Sequence, residues 1–138
     1  MKSISYRLNH RGFTLVEIMI VVAIIALLAS IAVPNFLRAR KRSQASKILE
    51  DLRQIDNATD EYAMENNKTG GMTPAFTDLK AYLKTGTTLY NTGADLFGDS
   101  YGPFTVDSVV GVPLPAFNAL SDVAPVSFWS PYFWSAGS

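Results

Sequence analysis

The chain has 138 residues, with twelve basic and twelve acidic side chains, one histidine and no cysteine. This length fits one small domain. A formal net charge of zero gives no electrostatic reason to expect nucleic-acid binding, and the lack of cysteine excludes disulfides, thiolate zinc sites and cysteine nucleophiles. Only 17% of the residues are charged, against a usual share of about 25%, whereas 48% are hydrophobic, so the apolar residues must be concentrated somewhere.

The apolar residues are concentrated near the N-terminus. Residues 1–12 carry three basic side chains and no acid, and in the 21 residues of 13–33 only three are not apolar: Thr14, Glu17 and Ser30. As a helix this run is about 31 Å long, which matches the roughly 30 Å hydrocarbon core of a bilayer. It predicts a membrane-spanning helix, because the rest of the chain is too short to enclose a helix that is apolar on every side.

A secretory signal peptide is the alternative interpretation of this segment. Basic residues followed by an apolar run are its pattern, and Ser30-Ile31-Ala32 offers a cleavage site. However, the run is longer than the usual apolar region of roughly 7–15 residues. It also carries Glu17, and a carboxylate is costly at membrane depth unless it is paired. Both features favour a helix that is retained.

The residues Gly12-Phe13-Thr14-Leu15-Val16-Glu17, followed by the apolar run and Pro34, resemble the processing motif of type IV pilins and type II secretion pseudopilins. The resemblance is specific because it combines a basic leader, Gly before Phe, a Glu five residues after that Gly, and a Pro at the far end of the run. It implies that a prepilin peptidase and methyltransferase removes residues 1–12, cutting between Gly12 and Phe13, and methylates the new Phe13 amine. Glycine suits a protease site because it lets the backbone extend into a cleft, although a simple turn is the other interpretation.

The resemblance also gives Glu17 a role. Its carboxylate has the Phe13 amine as a partner, either one helical turn away in the same subunit or on a neighbouring subunit of a filament. In a dry filament core the second pairing sets the axial register, because a slipped subunit leaves a buried charge unpaired. The alternative is a carboxylate that simply reaches the membrane surface.

Beyond the span, Pro34 predicts a bend or local melting of the helix, because proline removes a backbone hydrogen bond. A further apolar stripe predicts that the helix continues until the Asn- and Gly-rich residues 66–71; its members are Ala45, Ile48, Leu49, Leu52, Ile55, Thr59, Tyr62 and Ala63. We therefore divide the chain into a leader, a span, an amphipathic continuation of the helix and a small head, at residues 1–12, 13–33, 34–67 and 68–138.

The expected fold class is α+β, with the long helix carrying a head of one short helix and a few antiparallel strands. Residues 87–90 and 101–106 are the predicted strands. A short helix with its N-cap at Thr77-Asp78 is predicted from four apolar residues: Phe76, Leu79, Tyr82 and Leu83. The aromatic stretch 128–134 is interpreted as core, or alternatively as a subunit contact or adhesive patch.

No catalytic constellation is found in the sequence, so we expect no enzyme. The only histidine, His10, lies in the leader, and Asp99 stands where a Walker-like glycine pattern would need lysine. The resemblance suggests calcium as a possible cofactor, because major pseudopilins bind it in a loop near the C-terminus. The candidate ligands are Asp95, Asp99, Asp107 and Asp122, which we expect instead to form turns and solvated charges.

Charge is distributed unevenly along the chain. Without the leader there are nine basic and twelve acidic residues, a net charge of −3. Basic residues crowd the helix after Pro34, at Arg38, Arg40, Lys41, Arg42, Lys47 and Arg53. By contrast, Asp95, Asp99, Asp107 and Asp122 all follow Lys84, which is the last basic residue of the sequence. This pattern indicates either head-to-stem attraction between stacked subunits or a basic collar at a membrane surface.

The expected function is a structural subunit of a type II secretion pseudopilus or type IV pilus-like filament. The short, cysteine-free head favours the pseudopilus. The expected partners are the prepilin peptidase, identical and related subunits, an inner-membrane assembly platform and the lipid bilayer. The expected location is the bacterial inner membrane, with a single pass and the head outside the cytoplasm, and later a periplasmic or extracellular filament. The positive-inside rule does not favour this orientation, which comes from the resemblance alone. A membrane-anchored or secreted binding module is the alternative function.

Overall fold

The computed structural model describes residues 1–2 and 11–133. Most of the leader, including His10, and the last aromatic residue, Trp134, lie outside the described residues. The chain divides into two compact units, residues 1–37 and residues 38–138.

Helix α1 spans Leu15–Glu65, 51 residues, and confirms the predicted long helix. It continues as α-helix through Pro34, so the predicted local melting is not observed, and the bend stays a prediction. The C-terminal end is set by local hydrogen bonds. Asn67 adopts a left-handed φ of 49°, and the Lys68 backbone N–H donates to the Ala63 carbonyl at 2.9 Å. This is a Schellman-type ending, in which asparagine takes the place that glycine most often fills.

Three short helices follow α1 in the second unit. They are α2 (Phe76–Leu79), α3 (Thr88–Thr92) and α4 (Leu114–Leu120), with 3₁₀ turns at Lys80–Tyr82 and Val126–Trp129. Helix α2 confirms the predicted short helix, but its N-cap is Ala75 and not Thr77-Asp78. The Asp78 carboxylate instead accepts a hydrogen bond from the Ala75 backbone N–H at 3.0 Å.

The predicted antiparallel strands are wrong. Within residues 1–2 and 11–133 the only β pairings are two isolated bridges, between Ala94 and Ser100 and between Thr105 and Ser108. Residues 87–90 suggested a strand because Thr and Tyr favour strands. However, the Thr87 hydroxyl accepts from the Tyr90 backbone N–H at 3.1 Å and so caps helix α3. The head is therefore built from short helices and loops.

The second predicted strand, residues 101–106, also forms no ladder. Gly102 has a positive φ of 129°, and Pro103 has no N–H to donate. Its apolar residues still reach the core, since Tyr101, Phe104 and Val106 are buried. This explains why an apolar run with strand-like composition packs as an extended loop.

The core of the second unit forms along the second half of α1. Ala45, Ile48, Leu52, Ile55 and Ala58 are buried at three- and four-residue steps, as the apolar stripe predicted. The short helices and loops pack on this face mainly through fully buried side chains: Leu79, Leu89, Leu120 and Trp129. The second half of α1 is therefore itself part of the core on which the head is built.

The aromatic stretch belongs to this core as far as it is described. Trp129 is completely buried, and its indole N–H donates to the Ala124 carbonyl at 3.0 Å. Tyr132 is also buried, while Phe128 and Phe133 are half-buried against the same cluster. These positions favour the core interpretation over an adhesive patch.

Candidate functional site: the start of the long helix

Gly12 and Phe13 lie just ahead of α1. Both residues are exposed, and the Phe13 side chain is 86% exposed. A Cβ atom added to Gly12 would meet nothing within 4 Å, and its φ lies outside the left-handed range. The fold of this chain therefore does not itself require glycine at position 12. A requirement for glycine there would have to come from a partner that binds this segment.

A reciprocal pair of hydrogen bonds fixes the helix start. The Glu17 backbone N–H donates to the Thr14 hydroxyl at 3.2 Å, and the Thr14 backbone N–H donates to the Glu17 carboxylate at 2.9 Å. This is a capping box, which satisfies two of the backbone donors that a helix N-terminus leaves free. The carboxylate also lies in the first turn, where the helix dipole favours negative charge.

The sequence interpretation missed the capping box, although Thr-x-x-Glu ahead of an apolar run is its known signature. The structure thus gives Glu17 a structural partner, Thr14, in addition to the proposed Phe13 amine. Any experiment on Glu17 has to separate these two roles.

Among the described residues of the first unit, none covers the apolar side chains that follow the helix start. All residues from 13 to 37 are exposed, including large apolar side chains such as Leu15, Ile25 and Phe36. By length and composition α1 is able to cross a membrane, although an N-terminal signal sequence passes the same test. Exposed apolar surface on this scale needs lipid or another protein to cover it.

The four candidate calcium ligands do not come together. Among the described residues, no group of three or more acidic, His or Cys side chains is placed to hold a metal ion. Asp122 forms an ion pair with Lys41 at 2.9 Å, and its pKa is lowered chiefly by that hydrogen bond. Asp107 is exposed with a left-handed φ of 63°, and Asp99 is half-buried.

Asp95 forms a turn, as expected. It is buried, and its Oδ1 atom accepts from the backbone N–H groups of Phe97 and Asp99 at 2.8 and 2.9 Å. Its Oδ2 atom has no hydrogen-bond partner within the described part of the chain. Burial, and then the negative charges of Asp51 and Asp95, raise the pKa of Tyr101, whose hydroxyl donates to Asp51 at 3.4 Å. The uncharged Tyr101 side chain thus links the loop that contains Asp95 to helix α1.

Two basic side chains in the second half of α1 form ion pairs with carboxylates of the second unit. Lys47 contacts the buried carboxylate of Asp51 one turn later at 2.7 Å. Lys41 reaches Asp122, 81 residues further along the chain, and so holds the C-terminal part of the head to the stem. The second contact had no local signal in the sequence, because it depends on the tertiary fold.

Comparison with known proteins agrees with the N-terminal motif. The family described as "Prokaryotic N-terminal methylation motif" matches residues 7–33. The chain is 40% identical over 60 residues to the type II secretion system core protein G of Klebsiella pneumoniae, covering 44% of this chain and 43% of that protein. It is 42% identical over 59 residues to the protein of the same name from Escherichia coli K12, covering 43% and 41%.

A pilus protein is similarly related. The type IV wide pilus major component PilA4 of Thermus thermophilus is 42% identical over 59 residues, covering 43% of this chain and 45% of that protein. No solved structure matches the chain. The alignments span less than half the length of these relatives. The motif and the relatives together support the type IV pilin and pseudopilin family.

Proposed function

We propose that this chain, as a member of the type IV pilin and pseudopilin family, is a structural subunit of a helical filament such as a type II secretion pseudopilus. It is made as a membrane-inserted precursor, cleaved and N-methylated, and then assembled. The observation that carries this proposal is the processing motif at the capped start of a helix in which every residue up to 33 is exposed and all of these but Glu17 and Ser30 are apolar. The relatives named above are consistent with it.

Processing takes place at the bond between Gly12 and Phe13. Both residues precede the helix and are exposed, so a peptidase can bind the segment without unwinding α1. The lack of any structural need for glycine at position 12 supports a need imposed by the peptidase cleft. Hydrolysis releases residues 1–12 and leaves an amine on Phe13, which stays cationic after methylation.

Cleavage changes the surroundings of Glu17. In the precursor its carboxylate accepts a hydrogen bond from the neutral Thr14 N–H. The new Phe13 amine adds a charged donor one turn away, and charge-assisted hydrogen bonds are about twice as strong as neutral ones. In a filament the same carboxylate meets the amine of a neighbouring subunit, and the two charges neutralise each other away from water.

The apolar first half of α1 then has two successive environments. In the membrane, lipid covers residues 13–33, with the head outside the cytoplasm. In the fibre, the corresponding segments of neighbouring subunits cover one another. The subunit therefore works mechanically, with the peptidase, an inner-membrane assembly platform and related subunits as its partners. The alternative binding module depended on an exposed aromatic tail, and Trp129 is buried.

The test uses Glu17→Gln, because glutamine at this position still completes a capping box but carries no charge. The matched control is Thr14→Ala, which removes the capping hydroxyl and keeps the carboxylate. We expect Glu17→Gln to be processed and to stay in the membrane with little filament formation, measured by electron microscopy of sheared fibres. Thr14→Ala is expected to keep most of the yield. Normal filament yield from Glu17→Gln would remove its charge from the mechanism.

Orientation is tested separately by adding protease to intact spheroplasts. We expect the head to be digested while the membrane stays closed. Protection of the head from protease would contradict the proposed topology.

A further inference from the structure

The second half of α1 carries opposite charges in two consecutive blocks. Residues 38–49 contain five basic side chains and no acid, namely Arg38, Arg40, Lys41, Arg42 and Lys47. Residues 50–65 contain one basic side chain, Arg53, and six acids: Glu50, Asp51, Asp56, Asp60, Glu61 and Glu65. One helix thus presents a positive segment followed by a negative one.

Several of these charges already have partners in the same chain. Lys41 pairs with Asp122, Lys47 pairs with Asp51, and Glu65 accepts a hydrogen bond from Tyr82. Within residues 1–2 and 11–133, the side chains of Arg38, Arg42, Asp56 and Asp60 form no ion pair. Asp56 is half-buried and the other three are exposed.

The spacing of these four residues is regular. Asp56 follows Arg38 by 18 residues, and Asp60 follows Arg42 by the same 18. At about 3.6 residues per turn and 1.5 Å per residue, 18 residues are about five full turns and 27 Å. All four side chains therefore lie on one face of α1. The two arginines are four residues apart, and so are the two aspartates.

We propose that this face is an interface between copies of the chain, in which Asp56 and Asp60 of one subunit lie against Arg38 and Arg42 of a parallel subunit shifted by about 27 Å along α1. A single shift satisfies both ion pairs. An antiparallel arrangement would also match the charges, but subunits whose spans enter one membrane from the same side are parallel. The inference therefore rests on the proposed filament function and adds a stem-to-stem contact to it.

The surroundings of the acidic pair support this interface. Burial, and then the negative charge of Asp60, raise the pKa of Asp56, while the Tyr132 hydroxyl lowers it. The two carboxylates thus repel each other, and among the described residues no cation lies close enough to form an ion pair with either. Guanidinium groups suit this place, since they bind carboxylates with paired hydrogen bonds and remain charged.

Cysteine cross-linking tests the contact directly, because the natural chain has no cysteine. The full-length double variant Arg42→Cys with Asp60→Cys is treated in assembled fibres with a short bis-maleimide, because an arginine–aspartate ion pair holds its two Cα atoms further apart than the roughly 7 Å that a disulfide allows. The reagent is much shorter than the roughly 27 Å between these positions in one chain, so every cross-link joins two copies. The matched control is Arg40→Cys with Asp60→Cys, because Arg40 lies on nearly the opposite face of α1.

We expect a ladder of covalent oligomers from the first variant and little from the control. No ladder, or an equal ladder from the control, would overturn the inference while leaving the filament itself in place. If the natural chain formed no fibres under the microscope, the proposed function would fail, and this interface would fail with it.

A charge exchange separates a subunit contact from binding of the arginines to anionic lipid headgroups. Arg42→Asp and Asp60→Arg are each expected to lower filament yield about tenfold, because like charges then face each other. The chain carrying both exchanges is expected to recover most of the yield. A loss in Arg42→Asp alone, without rescue, would overturn the subunit contact and favour lipid headgroups. Circular dichroism of each variant checks that the head still folds.

Discussion

Replacing Trp129 by alanine tests whether the aromatic C-terminal stretch stabilises the head from inside. The side chain is fully buried in the cluster along α1, and its indole N–H bonds to the Ala124 carbonyl. Truncating a buried tryptophan costs about 3–5 kcal/mol, and a small domain has only about 5–15 kcal/mol of stability in total. For a unit of this size, a loss of 3 kcal/mol lowers the melting temperature by more than about 10 °C.

The assay is thermal and urea unfolding of the full chain in detergent, followed by far-ultraviolet circular dichroism. The control is Phe97→Ala, which removes an aromatic ring that is 44% exposed, and we expect it to change the free energy of unfolding by less than about 1 kcal/mol. If Trp129→Ala were no more destabilising than this control, the core assignment would be wrong. The aromatic stretch would then have to be reconsidered as a binding surface.

Three further changes test local features of the second unit. Gly93→Ala is expected to destabilise the chain more than Gly86→Ala does in the same unfolding assay. Both positions have left-handed φ angles, 64° and 82°. Only at Gly93, however, would an added Cβ atom meet the Phe76 ring, at 3.0 Å. Asp56→Asn is expected to stabilise the chain near neutral pH, because the raised pKa of Asp56 means that folding disfavours its charge. Melting curves at several pH values should show this gain disappear as the pH falls below the ordinary aspartate range. Asp122→Asn is expected to destabilise the chain, because the ion pair with Lys41 lowers the pKa of Asp122. The loss of stability should be present at neutral pH and absent in acid. A loss that persisted in acid would refute the Lys41–Asp122 ion pair as its cause.

The long helix could be predicted from sequence because its signals are local and repeated. The apolar run and the stripe from Ala45 onward predicted α1, which ends at Glu65, within two residues of the predicted end at 67. Glu17 stands out in the sequence because a carboxylate is rare in an apolar run. Its contact with Thr14 was equally local, and the Thr-x-x-Glu pattern could have revealed it.

The head was harder to predict because its elements are short and depend on contacts far apart in sequence. Thr88, Leu89 and Tyr90 are helical although threonine and tyrosine favour strands, because the Thr87 hydroxyl accepts from the Tyr90 N–H and caps helix α3. Propensity differences are small enough for a single capping contact to outweigh them. The Lys41–Asp122 pair spans 81 residues and depends on the tertiary fold. Residue type alone points to the candidate calcium ligands, and it says nothing about their separation in space.

The N-terminus of the mature protein shows whether the chain is cut before Phe13, and it is read by mass spectrometry of the chain purified from membranes of cells that make the peptidase. We expect a chain that begins at Phe13 and carries one added methyl group on its amine. A terminus near Val33 would show an ordinary signal peptide, and an uncut chain that still forms filaments would show that processing is not required. Either result would contradict the proposal that the capped start of α1 is a site of cleavage and assembly.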